Sequence, residues 1–204
     1  MPIKKIAGIK SEKKNLPTWP WRDFINPPLE DIDTIVKQYN FHELDKEAIL
    51  EENQYARIDT YDDYLFLVLH FPKYETTTER YIHNELNIFV GKDYLLSFRY
   101  YQSKTMKRVY EGYETRLEKW EKMTPAFLLY DIIEHYLDKT MKMLERFGKD
   151  LKLLERELFT ARGPDLIKAI MTRKRNIITL KHMMKPQIGV LKMVEIRMKE
   201  RFSE

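Results

Sequence analysis

The first 122 residues alternate between two hydrophobic periodicities, which predict short strands and helices. Bulky and polar residues alternate over 19–25, and this alternation predicts a short strand that ends before Pro27. Apolar residues recur every three or four positions over about 29–40, 44–53 and 106–122, which predicts three helices. Four runs rich in β-branched and aromatic residues predict an antiparallel meander. These runs are 57–60, 64–71, 81–90 and 94–100.

The chain has helical spacing throughout after Pro125. Apolar residues step by three or four from Leu129 to Leu158, and at 1.5 Å per residue this stripe predicts a helix roughly 50 Å long. Gly163 and Pro164 are typical of a helix end followed by a new helix start, so the chain is predicted to turn back on itself. The returning helix contains Pro186, where we expect a kink.

These elements together predict an α+β fold. A small, mostly antiparallel sheet is flanked by helices in an α/β/α head, and a long antiparallel helical hairpin follows at the C-terminal end. We expect a flexible N-terminal segment at 1–18, the head at 19–122 and the hairpin at 123–204.

The composition excludes several classes of protein. The chain has no cysteine, so disulfide scaffolds, thiolate zinc sites and cysteine nucleophiles are ruled out. Its sequence contains no run of roughly 18–20 apolar residues that would cross a bilayer, and no apolar signal-peptide segment. As given, the chain is expected to be soluble and not secreted.

The net charge of +4 is unevenly distributed along the chain. Residues 1–137 hold 19 Lys and Arg against 23 Asp and Glu, whereas residues 138–204 hold 17 against 9. A basic helical end favours nucleic acid, an acidic partner or an anionic membrane surface, and a solvated helix face has the same composition.

The sequence contains none of the motifs that would indicate an enzyme. A Gly-rich phosphate loop, a Gly-x-Ser-x-Gly elbow and a His-Glu-x-x-His motif are all absent, and the five histidines have no ligand spacing. We therefore expect no catalytic residue and no bound organic cofactor. The acidic stretch from Glu43 to Glu52 supplies hard oxygen ligands suited to Mg²⁺ or Ca²⁺, although a solvated acidic helix face would look the same.

Five segments, in order, resemble the CorA-type Mg²⁺/Co²⁺ transporter family of the CorA/ZntB superfamily. They are 41–50 (FHELDKEAIL), 57–66 (RIDTYDDYLF), 85–96 (ELNIFVGKDYLL), 128–134 (LLYDIIE) and 173–191, which runs from Arg-Lys-Arg-Asn through Lys-Pro to Val-Leu. The segments keep the family's order and spacing over about 160 residues, and the helical hairpin lies in the corresponding place.

The resemblance implies the metal-sensing domain on the cytoplasmic face of a homopentameric membrane transporter for Mg²⁺, Co²⁺ or Ni²⁺. The family's stalk helix, two membrane helices and Gly-Met-Asn pore signature would follow Glu204, so this sequence is not expected to conduct ions itself. It is interpreted as an excised piece, with a degenerate standalone homologue as the alternative. The basic return helix is then interpreted as the family's positive arm near the membrane, and not as a nucleic-acid surface.

The resemblance also implies candidate ligands for a weak regulatory Mg²⁺, with Co²⁺ or Zn²⁺ as alternatives. Glu47 matches a family glutamate at the interface between protomers, and Glu134 matches an aspartate on the first long helix. Ala48 occupies the position of a principal metal-binding aspartate, and Asp45, Asp131 or Glu51 would have to compensate. Two alternatives stay open: a ZntB-like zinc transporter domain, and a soluble helical hairpin that binds nucleic acid or a protein through its basic end.

Overall fold

The computed structural model describes residues 21–52, 54–115, 124–158 and 163–202. The predicted flexible segment 1–18 and the predicted turn residues 160–162 lie outside these ranges. The described elements are β1 (Trp21–Ile25), α1 (Leu29–Tyr39), α2 (Glu43–Leu50), β2 (Arg57–Thr60), β3 (Tyr64–Glu75), β4 (Arg80–Gly91), β5 (Leu95–Arg99), α3 (Lys104–Thr115), α4 (Pro125–Glu157) and α5 (Pro164–Phe202).

The strands form one five-stranded sheet in the order β1-β5-β4-β3-β2. Among the described strands, β1 pairs with β5 in parallel and the other neighbours are antiparallel. The β3–β4 hairpin is longer than predicted, since its pairing runs from Tyr64↔Gly91 to Glu75↔Arg80. Pro72 lies where β2 has already ended, so its missing N–H interrupts no ladder on that side.

Helices cover both faces of the sheet, which confirms the predicted α/β/α arrangement. On one face, α1 and α2 pack on alternate strand residues, in a cluster made of Ile32, Ile35, Val36, Phe41, Ala48, Ile49, Tyr64, Phe66, Val68, Phe89, Leu96 and Phe98. On the opposite face, α3, α4 and α5 pack on the remaining strand residues, which are Leu65, Leu67, Leu69, Phe71, Leu86, Ile88, Val90 and Leu95. The central strands are therefore apolar on both sides.

Local sequence signals account for the helix ends. The His42 ring accepts a hydrogen bond from the Leu44 N–H (3.2 Å) at the start of α2. Thr124 caps α4 in the same way, with its hydroxyl accepting from the Phe127 N–H (3.2 Å) just before a proline at the first position. Asn40 adopts a left-handed conformation (φ 53°) and ends α1.

The two long helices share the core of the sheet along part of their length. Leu129 on α4 and Val194 on α5 belong to the sheet cluster, whereas Phe147 and Leu180 pack farther along the hairpin against Tyr81. The division of the chain at residue 122 stays a prediction. The helix α5 continues through Pro186, and the kink there also stays a prediction. Within the described residues, no helix is both long enough and apolar enough to cross a membrane.

Candidate functional site

An open acidic cleft of about 650 Å³ lies between α2 and the edge strand β2. Glu47 lies on α2 and Glu51 directly follows its last residue, while Asp59 and Arg57 come from β2 and form an ion pair of 2.7 Å. The full lining is Leu44, Asp45, Glu47, Ala48, Glu51, Gln54, Arg57, Ile58, Asp59, Thr60 and Tyr61. The cleft therefore offers hard oxygen ligands beside β2, which is the edge strand among the strands that the structure describes.

Asp45, one of the predicted metal ligands, is completely buried at the base of this cleft. One of its oxygens accepts from the Tyr64 hydroxyl (2.7 Å) and the other from the Tyr61 hydroxyl (3.1 Å). Burial raises the pKa of Asp45, and the two hydrogen bonds oppose part of that rise. Desolvation likewise raises the pKa of Tyr61 to about 12, with the Asp45 charge adding to it. In this chain the two hydrogen bonds of Asp45 therefore hold α2 against the β2–β3 turn.

The predicted ligands on the first long helix lie on the other side of the sheet. Glu134 accepts from the Tyr130 hydroxyl (3.3 Å), and the Asp131 carboxylate lies 3.6 Å from the His135 ring. The negative charge of Glu134 raises the pKa of Tyr130. Because α2 and α4 cover opposite faces of the sheet, the fold does not bring Glu47 together with Glu134 within one chain.

No metal site is assembled within a single chain, as far as the described ranges extend. They contain no cluster of three or more histidine, aspartate or glutamate side chains arranged to hold an ion. Ala48, at the position that the family resemblance aligns with a ligand, is buried against α1 and supplies no oxygen. The assignment of Asp45, Glu47, Asp131 and Glu134 as metal ligands stays a prediction. For the α2 residues to approach the α4 residues, they would have to belong to different chains.

Behind the cleft, two buried side chains of the β3–β4 hairpin hold the loop between α2 and β2. The Gln54 N–H donates to the Glu85 carboxylate (2.9 Å), and the His70 Nε2 lies 2.6 Å from the Gln54 carbonyl oxygen. His70 and Glu85 are directly opposite each other in the strand pair. His70 is one of the five histidines without ligand spacing, and no local motif predicted that it binds a distant loop.

The geometry around His70 predicts that the stability of the fold depends on pH. With Nε2 donating to the Gln54 carbonyl, the other ring nitrogen is buried without a partner among the described residues, and burial lowers the pKa of His70. The neighbouring ring of His83, with its centroid 5.3 Å away, is the other titratable group facing it from β4, beside Glu85.

We expect the free energy of unfolding to fall as the pH drops below the ordinary histidine value of 6.5. The unfolded chain takes up the proton first in that window, so stability is present above it and is lost at a slope of at most about 1.4 kcal/mol per pH unit from this residue. Urea unfolding from pH 8 to 5 measures the slope. The variant His70→Gln should flatten it, whereas His182→Gln, at an exposed position on α5, should leave it unchanged. An identical slope in His70→Gln would contradict this assignment.

Comparison with known proteins places this fold in a family. The model of the CorA-like Mg²⁺ transporter protein family matches residues 18–203, which is almost the whole chain. The chain therefore belongs to the CorA-like Mg²⁺ transporter family, as the sequence motifs predicted.

Individual relatives are distant in sequence but share the fold. The cobalt/magnesium transport protein CorA of Thermotoga maritima is 22% identical over 153 residues, which are 75% of this chain and 44% of that protein. The CorA soluble domain from Methanocaldococcus jannaschii superposes with a TM-score of 0.70 at 19% identity, covering 85% of this chain and 68% of that one. The ZntB cytoplasmic domain from Vibrio parahaemolyticus gives 0.67 at 16% identity, covering 89% and 70%. The chain spans a little under half the length of the curated relatives it matches.

Proposed function

We propose that this chain is the cytoplasmic regulatory domain of a CorA-like divalent-cation transporter and has no enzymatic role. The observation that supports the proposal most directly is the family match over residues 18–203. The complete protein would move Mg²⁺, or Co²⁺, across the cell membrane, with this domain on the cytoplasmic face and several copies assembled as a homo-oligomer, a pentamer by the family's resemblance.

Within this role, we propose that Glu47 and Glu134 bind a regulatory Mg²⁺ between adjacent chains. The exposed carboxylate of Glu47 on α2 and the exposed carboxylate of Glu134 on α4 lie on opposite faces of one domain, where each faces outward. Two such faces meet when identical domains are arranged head to tail around a ring. Mg²⁺ keeps several waters and needs only one or two carboxylates, so two glutamates suffice for a weak site. Asp131 lies one turn from Glu134 and would help to hold the hydrated ion.

We expect Mg²⁺ to raise the melting temperature of the domain. At ten times the dissociation constant, a ligand that binds only the folded state adds about 1.4 kcal/mol, which corresponds to a shift of about 3–6 °C for a chain of this size. Differential scanning calorimetry in rising MgCl₂, with CoCl₂ and ZnCl₂ in parallel, measures the shift and the preferred cation. A larger response to Zn²⁺ would favour a ZntB-like domain.

The double variant Glu47→Gln/Glu134→Gln should remove this shift, because it deletes both charges and keeps both shapes. Its matched control is Glu30→Gln/Glu155→Gln, which neutralises one exposed glutamate on α1 and one on α4. A melting temperature indifferent to all three cations would leave this domain without a metal-sensing role. A shift that persists in the double variant would place the metal elsewhere.

A further inference from the structure

The outward face of α5 carries positive charge without any neutralising residue in the same stretch. Residues 166–194 contain seven lysines and arginines and no aspartate or glutamate. The inward face of the same stretch is buried against the sheet and α4 through Asn176, Leu180, Met183, Gln187, Val190 and Val194. Lys174, Lys181 and Lys185 lie on the opposite side, are exposed, and have no carboxylate within ion-pair distance among the described residues.

Large apolar side chains are interleaved with these lysines on the outward face. Ile167 is 64% exposed, Met171 57% and Ile178 47%, and their spacing of four and seven residues places them on one side of the helix. Ile170, Ile177 and Ile188 widen the same surface. Exposed apolar residues concentrated on one charged face indicate an interaction surface, because isolated ones are normally scattered.

The combination of residues discriminates among the partners that a basic helix attracts. A nucleic acid would satisfy the lysines through its phosphates, but it offers exposed isoleucines nothing to bury against. An anionic bilayer accepts both, because its headgroups pair with the lysines while the apolar side chains enter the acyl boundary. Lysine stems can extend along the apolar surface and keep the ammonium groups at the phosphates.

We propose that the outward face of α5, defined by Ile167, Met171, Ile178, Lys174, Lys181 and Lys185, binds an anionic phospholipid surface. The contact is peripheral, since the inward face of α5 stays packed on the sheet. This lipid contact depends only on the charge and exposure of α5, so it does not require that the chain senses metal.

Sedimentation with vesicles tests this proposal on the full 204-residue chain. We expect binding to phosphatidylcholine vesicles that contain phosphatidylglycerol, no binding to pure phosphatidylcholine, and a steep loss with salt. The variant Lys174→Glu/Lys181→Glu should bind at least about thirtyfold more weakly, since each basic residue near an anionic surface contributes about fivefold. The variant Ile167→Ser/Ile178→Ser should also weaken binding, although it keeps every charge.

The charge-matched control is Lys37→Glu/Lys92→Glu, which reverses two exposed lysines away from α5 and should bind as the parent does. Equal binding by the parent and both α5 variants would overturn the proposal, as would equal binding to neutral vesicles. Tighter binding to duplex DNA that ignores the isoleucine variant would assign the face to nucleic acid instead. Self-association in the absence of lipid, abolished by the lysine variant, would assign it to an acidic protein surface.

Discussion

Replacing Asp23 by alanine is expected to lower the free energy of unfolding by about 3–5 kcal/mol, because it leaves a buried arginine without its counter-ion. The Asp23 carboxylate joins β1 to β5 by accepting two hydrogen bonds of 3.1 Å from Nε of Arg99, and its Oδ2 also accepts from Nη2. The Ser97 hydroxyl donates to the same carboxylate (2.8 Å). Both side chains are almost completely removed from water, at 3% exposure for Arg99 and 9% for Asp23.

The expected loss is large because Asp23→Ala leaves the Arg99 guanidinium buried and unpaired. A second variant that removes both charges separates this cost from the net contribution of the intact ion pair to stability. Urea unfolding of Asp23→Ala gives the loss, and Asp23→Leu/Arg99→Met should recover most of it, since apolar side chains of similar volume remove both charges. As a control, Asp59→Ala breaks the more exposed pair with Arg57 and should cost less than about 1 kcal/mol. A loss in Asp23→Ala as small as in the control would contradict the assignment.

Most of the fold follows from local sequence periodicity. The predicted and observed structures differ where a long-range contact determines the length or the pairing of a strand. The strands β2 and β5 and the helix α1 have the predicted positions within one residue, because their apolar spacing is unambiguous. The hairpin β3–β4 extends beyond its apolar run, because Lys73 and Glu75 stay paired across the ladder where nothing apolar indicates a strand. The parallel partner of β1 could not be predicted locally, since the Asp23–Arg99 pair that links it to β5 spans 76 residues.

The candidate site was less accessible to sequence reasoning than the fold. Asp45 and Glu47 look alike in an acidic stretch, yet one is completely buried under two tyrosines and the other is exposed in the cleft. The phenols that distinguish them come from residues 16 and 19 positions later. Glu47 and Glu134 lie on opposite sides of the sheet because α2 and α4 cover different faces, which the local sequence does not indicate. Family resemblance named both residues without indicating that one chain keeps them apart.

A second side chain that no motif predicted holds α5 to the sheet, and its loss is expected to be equally severe. Gln187 is 2% exposed and faces the free edge of β3 beyond the end of β2. Its side-chain oxygen accepts from the His70 N–H (2.8 Å) and its amide donates to the His70 carbonyl oxygen. One carboxamide thus satisfies both peptide groups that a neighbouring strand would otherwise bind.

We expect Gln187→Leu to lower the free energy of unfolding by about 2–6 kcal/mol, because each buried peptide group left unpaired costs about 1–3 kcal/mol. Hydrogen exchange of the His70 amide should accelerate in parallel. An exposed glutamine gives the control: Gln38→Leu on α1 should change stability by less than about 0.5 kcal/mol.

The isosteric variant Gln187→Glu identifies the mechanism even if the leucine variant does not fold. Its carboxylate still accepts from the His70 N–H, but it has no proton to donate to the His70 carbonyl oxygen. The carboxylate also places an uncompensated negative charge in a buried position. Relative to the parent, it should therefore be destabilised at neutral pH and regain stability on acidification, when the protonated acid can donate as the amide does. Burial of His70 gives the parent the opposite trend, so the difference between the two unfolding curves isolates position 187. A variant that tracks the parent at every pH would mean that α5 is held by apolar packing alone.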